Sequence, residues 1–142
     1  MPDALLEVPI SAPPERVYEA ITEQADLASW WTPDVSNAQP RLGAVAEFRF
    51  GGGYVIQMEV AALEPSRRVV WNVRRGAPEW ANTSVTWDLT PTERGTTLRF
   101  AHRDYPSTEG SFANVTFNWA WFLASLKTYL EKGQGWPGDP PR

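Results

Sequence analysis

Apolar and polar residues alternate in short runs over most of this chain, and recur at spacings of three and four in two places. Ala4–Ile10, "ALLEVPI", puts Leu6, Val8 and Ile10 on one face, the period-two pattern of a half-buried strand. Pro9 places that strand at a sheet edge or at its own end. "SAPPERVYEAI" then reads as a helix. Pro14 suits a first helical turn, Glu15 the positive helix start, and Val17, Ala20 and Ile21 the buried side. Thr22 is placed to cap a second short helix, "EQADLASWW", which Pro33 stops.

Period two resumes after Pro40. Ala44–Phe50 sets Phe48 and Phe50 against Glu47 and Arg49, and Gly51-Gly52-Gly53 forms a hairpin turn. The next strand, "YVIQMEV", sets Tyr54, Ile56, Met58 and Val60 against Val55, Gln57 and Glu59. Three more follow: "RRVVWNV" (Val69, Trp71 and Val73 on one face), "TSVTWDLT" (Val85, Trp87, Leu89) and "TTLRFAH" (Leu98, Phe100, His102). From about Ser111 to Glu131, Phe112, Val115, Trp119, Phe122, Leu123, Leu126 and Leu130 recur at three and four. This predicts a helix of about five turns, ~30 Å long. Lys127 and Lys132 suit its negative end and Gly133 stops it, while "GQGWPGDPPR" reads as a loose tail. The prediction is one α+β domain over residues 1–133 with a tail at 134–142. Its order is β-α-α-β5-α, a curved antiparallel sheet wrapped around the long C-terminal helix. A straight helix meets a bent sheet over only part of its length, so the gap is filled by side chains or left as a cavity.

Composition narrows the chemistry. The formal charge is −4, and the scattered Lys and Arg form no basic stripe, which argues against nucleic acid. Absence of cysteine excludes disulfides, thiolate metal sites and a cysteine nucleophile. With His102 as the single histidine, no metal site and no cofactor are expected. The N-terminus lacks a signal-peptide pattern and no run is long enough to span a membrane, so a cytoplasmic protein without membrane insertion is the expectation. Eight tryptophans favour large core-filling side chains and a lined pocket.

Four stretches together resemble a known family: "APPERVYEAIT" followed closely by "WW.PD", "LEPSRRVVW", "VTWDLTP…RGTTLRFAH" and "NWAWFLASLKTYLEKG". In that order, over roughly Ile10 to Gly133, they are similar to the helix-grip, START-related superfamily, in the branch of activator-of-heat-shock-ATPase homologues. Pro13 stands where a capping Ser or Asp is usual in that pattern, and Val73 where an aromatic is common. The resemblance implies a deep apolar cavity between sheet and C-terminal helix, with its mouth near the short helices. Relatives of this kind bind lipids, sterols, polyketides or plant metabolites, some are aromatase/cyclases, and others assist chaperones. Fold alone does not choose among these.

Three functions are therefore weighed. The first is binding of a small hydrophobic or aromatic ligand, lipid-like or polyketide-like, by a protein for which a homodimer is compatible. The second is a polyketide cyclase/dehydratase-like enzyme with His102 as acid/base and Tyr54 as its polar partner. A chaperone-assisting role ranks last, because the chain opens directly on the first strand. Strand parity makes Phe48, Phe50, Tyr54, Ile56 and Met58 candidate ligand-binding residues. Trp71, Trp87, Phe100 and His102 join them from the later strands, and Val115 and Trp119 from the long helix. Neighbouring helical residues diverge by about 100°, so of Trp30 and Trp31 one closes the core and the other borders the cavity mouth. Each ring equally suits plain packing, and so many rings could fill the space outright.

Overall fold

The computed structural model describes residues 1–140. Strand β1 (Ala4–Ile10) leads through helices α1 (Pro14–Thr22) and α2 (Gln24–Trp30) into β2 (Asp34–Ser36), β3 (Val45–Phe50), β4 (Tyr54–Glu64), β5 (Arg68–Arg75), β6 (Ser84–Thr92) and β7 (Gly95–Arg103). Helix α3 (Phe112–Lys132) follows. All neighbouring strands pair antiparallel, in the order β1-β7-β6-β5-β4-β3-β2. The α+β helix-grip layout is therefore as the sequence predicts, with one strand more. β2 was not anticipated: it is three residues long and buries only Val35, too little for an alternating pattern to register.

Each element follows from its residues. Pro9 sits in the edge strand β1, and its carbonyl accepts from Lys127 Nζ, so its nitrogen side faces away from β7 and costs no ladder bond. The α1 N-terminus has no side-chain cap, as Pro13 foreshadows; the Pro13 carbonyl instead accepts from the Arg16 and Val17 N–H groups. Thr22 does not cap α2: its hydroxyl donates back to the Tyr18 carbonyl, and Glu23 holds the cap position. Irregular register between β4 and β5, at Gln57/Met58 and Val60/Ala62, marks the bulges that bend the sheet. Gly133, at φ 87°, ends α3 by returning its N–H to the Tyr129 carbonyl.

The core fills the concave side of the sheet. Trp30, Trp87, Phe48, Phe100, Met58 and Leu126 are all essentially inaccessible. Three helices are tied together by Arg16, whose guanidinium grips Asp26 at 2.8 and 3.2 Å and also donates to the Tyr129 hydroxyl. The segment after α3 is not a loose tail. Trp136 N–H donates to Ser125 Oγ, Gly138 N–H donates to the Trp31 carbonyl, and the Trp136 ring lies 5.0 Å from that of Trp121. Gly135 makes this docking feasible, since a Cβ there would come within 2.8 Å of the Ser29 carbonyl oxygen. The last two residues of the expected tail, 141 and 142, lie outside the described residues.

Candidate ligand-binding site

A cavity of about 310 Å³ opens between the β3–β4 hairpin and the first half of α3. Phe50, Gly51, Tyr54 and Ile56 wall it from the hairpin, and Ala77 and Trp80 from the β5–β6 connection. From α3 come Ser111, Asn114, Val115, Asn118, Trp119 and Phe122. Trp31 lies beneath, and Asp139 and Pro140 of the returning C-terminal segment complete the rim. Val115, Asn118, Trp119 and Phe122 present one face because they recur at three and four along the helix.

The adjacent tryptophans resolve the sequence's sharpest feature. Both are buried, only Trp31 lines the cavity, and the two rings do not diverge. Their rings stack 6.0 Å apart with planes only 13° from parallel. Trp31 is the residue on which α2 ends, at φ −102° and ψ −69°. Trp30 is sealed in, its indole N–H donating to the Ala20 carbonyl at 2.8 Å. Trp31 lines the cavity and touches rings on every side, from Phe48 at 4.2 Å to Trp119 at 5.4 Å.

Of the residues the sequence nominates, Trp31, Phe50, Tyr54, Ile56, Val115 and Trp119 line this cavity. Trp30, Trp87, Phe100 and His102 do not: they are packed in the solid part of the core. Phe48, Met58 and Trp71 border only a second space of about 10 Å³, less than one water needs. The strand residues outside the cavity, Phe48, Met58, Trp71, Trp87, Phe100 and His102, are all buried on the inner side, but strand parity does not report depth along the strand.

His102 is the largest correction. It is fully buried, and both ring nitrogens are engaged inside the protein. Trp119 Nε1–H donates to Nδ1 at 3.1 Å, and an indole can only donate, so Nδ1 carries no proton. Nε2 then bears the hydrogen and donates to Thr83 Oγ1 at 2.9 Å, while the Thr83 hydroxyl donates onward to the Trp80 carbonyl at 2.6 Å. Burial pushes the imidazole pKa down to about 4. This neutral ring braces two cavity walls, Trp119 and Trp80, from behind; it has no free lone pair to offer a substrate. Tyr54, its expected partner, stands at the rim instead, with its hydroxyl oxygen accepting from Ala77 N–H at 3.1 Å.

Several lining residues were missed. Trp80 lies in a loop without periodicity, and Asp139 and Pro140 lie in a segment whose composition reads as a linker. Phe122 was in the helical stripe but was not singled out, and Asn114 and Asn118 carried a readable signal: polar residues one turn apart beside that stripe. Glu79 Oε2 accepts from Ser111 N–H, so a carboxylate from the β5–β6 connection sits at the positive start of α3 and fixes this wall. Buried polar groups without a partner in the protein gather here too: Trp31 Nε1, Trp80 Nε1 and Ser111 Oγ belong to lining residues. Among the described residues no group of His, Asp and Glu is arranged to hold a metal ion. Among the described residues no helix is long and apolar enough to cross a membrane.

Comparison with known proteins agrees with this layout. Residues 11–131 match the family model of activator of Hsp90 ATPase homolog 1-like proteins. The solution structure of the Aha1 dimer from Colwellia psychrerythraea superimposes with a TM-score of 0.88 at 35% identity, over 95% of this chain and 100% of that one. The crystal structure of MLL2253 from Mesorhizobium loti gives a TM-score of 0.80 at 27% identity, covering 92% and 98%. DynU16, a putative protein in the dynemicin biosynthetic locus, gives 0.78 at 29%, covering 94% of this chain but 48% of that one. None of the curated proteins matches. The family match spans most of the sequence and the structural agreement spans nearly all of it: the chain belongs to the activator of Hsp90 ATPase homolog 1-like family.

Proposed function

We propose that this protein binds a small, largely apolar molecule in the cavity between the β3–β4 hairpin and α3, without transforming it. The observation that carries this reading is a half-open space of about 310 Å³ walled by Trp31, Phe50, Ile56, Trp80, Trp119 and Phe122. Pockets for small ligands start near this size. An apolar cavity of about 150 Å³ takes benzene, so a guest of about two rings suits this one. Affinity comes from burial, at roughly 25 cal/mol per Å² of apolar surface removed from water. The carboxamides of Asn114 and Asn118, on the same wall, orient the guest's polar edge.

The cyclase-like alternative draws support from the likeness to DynU16, a putative protein in the dynemicin biosynthetic locus. It draws none from His102, whose nitrogens are both committed to Trp119 and Thr83. The binding reading is tested by titrating tryptophan fluorescence with naphthalene-sized compounds, in the native protein and in Val115→Trp, which fills the cavity. Saturable quenching that disappears in the variant supports the reading. Equal responses in both, or none in either, overturn it.

A dimer is part of the proposal. Phe117 is 60% exposed and Trp136 43%, and Phe117 lies one helical turn from Trp121, on which Trp136 packs. From Phe112 to Leu126, α3 carries no charged residue, which is unusual for a helix with a solvent-facing side. The Colwellia relative is a dimer, and a second copy of this chain on this uncharged face is the matching assembly.

A further inference from the structure

We propose that the cavity selects organic cations, such as an aryl or alkyl ammonium, over neutral molecules of the same shape. This inference rests on the binding reading above and names the ligand class. Six aromatic side chains line the space: Trp31, Phe50, Tyr54, Trp80, Trp119 and Phe122. Aromatic faces carry negative potential, and several around one site attract an ammonium group far better than aliphatic walls of equal area.

The charges at the rim have the matching sign. Among the described residues, the lining includes one carboxylate, Asp139, and no Lys, Arg or His. Asp139 is held in place over the hairpin turn. Its Oδ1 accepts from Gly51 N–H at 3.4 Å, and a Cβ on Gly51 would fall 2.6 Å from Oδ2, so glycine permits the approach. A second carboxylate, Glu79, stands behind Ser111. Of the arginines on adjoining strands, Arg49 pairs with Glu47 at 2.8 Å and with Asp34 at 3.5 Å, Arg68 with Asp88 and Arg74 with Glu59, while Arg75, at the end of β5, is exposed and outside the lining. An anionic guest would meet Asp139 with no counter-charge among these groups. Asn114 and Asn118 are neutral and leave the sign unchanged.

The test compares benzyltrimethylammonium with neopentylbenzene, its isostere with carbon in place of the charged nitrogen. Indole N–H signals in ¹H–¹⁵N spectra report binding of each to the full chain. The expected result is binding of the cation about tenfold tighter than the hydrocarbon, the scale of one well-formed cation–π contact with partial desolvation. In Asp139→Asn, an exposed position whose remaining Oδ1 can still accept from Gly51 N–H, that preference should fall about three- to fivefold, as expected for losing a rim ion pair. Equal affinity, or tighter hydrocarbon binding, overturns the cation inference while leaving cavity binding intact. Binding of neither compound overturns it as well, and the naphthalene-sized series above then decides the cavity reading separately.

Discussion

Trp119 donates its indole N–H to Nδ1 of His102, 3.1 Å away, and this one bond fixes both the tautomer of the imidazole and the pose of one of the three indoles on the cavity wall. Protonating Nδ1 would set two hydrogens against each other and place a cation in a dry core. Burial accordingly holds the pKa near 4, against 6.5 for a free histidine. Since the folded value lies below the unfolded one, the unfolded chain takes up the proton first. The stability His102 contributes is complete above pH 6.5 and is lost as the pH falls from there towards 4. The difference corresponds to about 3 kcal/mol. Chemical denaturation between pH 7.5 and 4 should show this loss, and His102→Asn should flatten that part of the profile. An NMR titration placing the His102 pKa at 6 or above contradicts the assignment.

Trp31→Ala should cost about 3–5 kcal/mol, the range for truncating a buried aromatic side chain. It removes ring contacts with Trp30, Phe48, Trp71 and Trp119 at once. Because Trp31 also forms the cavity floor, the variant should accept larger guests than the native protein. Urea unfolding and competition between one- and three-ring compounds measure the two effects. A loss below about 1 kcal/mol would show that the stacked pair is not part of the packed core.

Removing residues 134–142 should destabilise the fold by about 1–3 kcal/mol, since it leaves the Trp31 carbonyl and Ser125 Oγ without partners from the returning segment. It also takes away the Asp139 and Pro140 wall, so bound compounds should dissociate faster while association changes little. Stopped-flow fluorescence separates these rates. Unchanged dissociation would mean that the segment packs without guarding the cavity.

Phe117→Glu places a charge in the middle of the uncharged face of α3 and should yield a monomer, with little change in unfolding free energy per chain at high dilution. Sedimentation velocity across a concentration series reads this directly. A native protein that is monomeric at hundreds of micromolar contradicts the dimer.

Much of this architecture is legible in the residues, and the exceptions have physical causes. Strict alternation around Phe48, Ile56, Trp71, Trp87 and Phe100 specifies strands because a half-buried strand needs period two, and all five point inward. Their depth is not legible, because one inner face holds both the solid core and the cavity wall. Rings near the middle of β6 and β7 meet α3 and lock, while Phe50 and Tyr54, at the end of the β3–β4 hairpin, extend past it. Histidine in phase with Leu98 and Phe100 is readable, but its partners are not. Thr83 and Trp119 are distant in sequence and ordinary in type. The C-terminal segment misled for a different reason: glycine and proline suit a linker, and equally suit a chain pressed closely against a helix, as Gly135 is.

The account rests on an apolar void lying between α3 and the hairpin, and diffraction from crystals pressurised with xenon tests it most directly. Xenon enters dry apolar cavities and scatters strongly. The expected result is a well-occupied site within contact of Trp31, Ile56, Trp119 and Phe122. Clean density for those side chains closed against each other, with no xenon between them, would contradict the cavity and the binding function built on it.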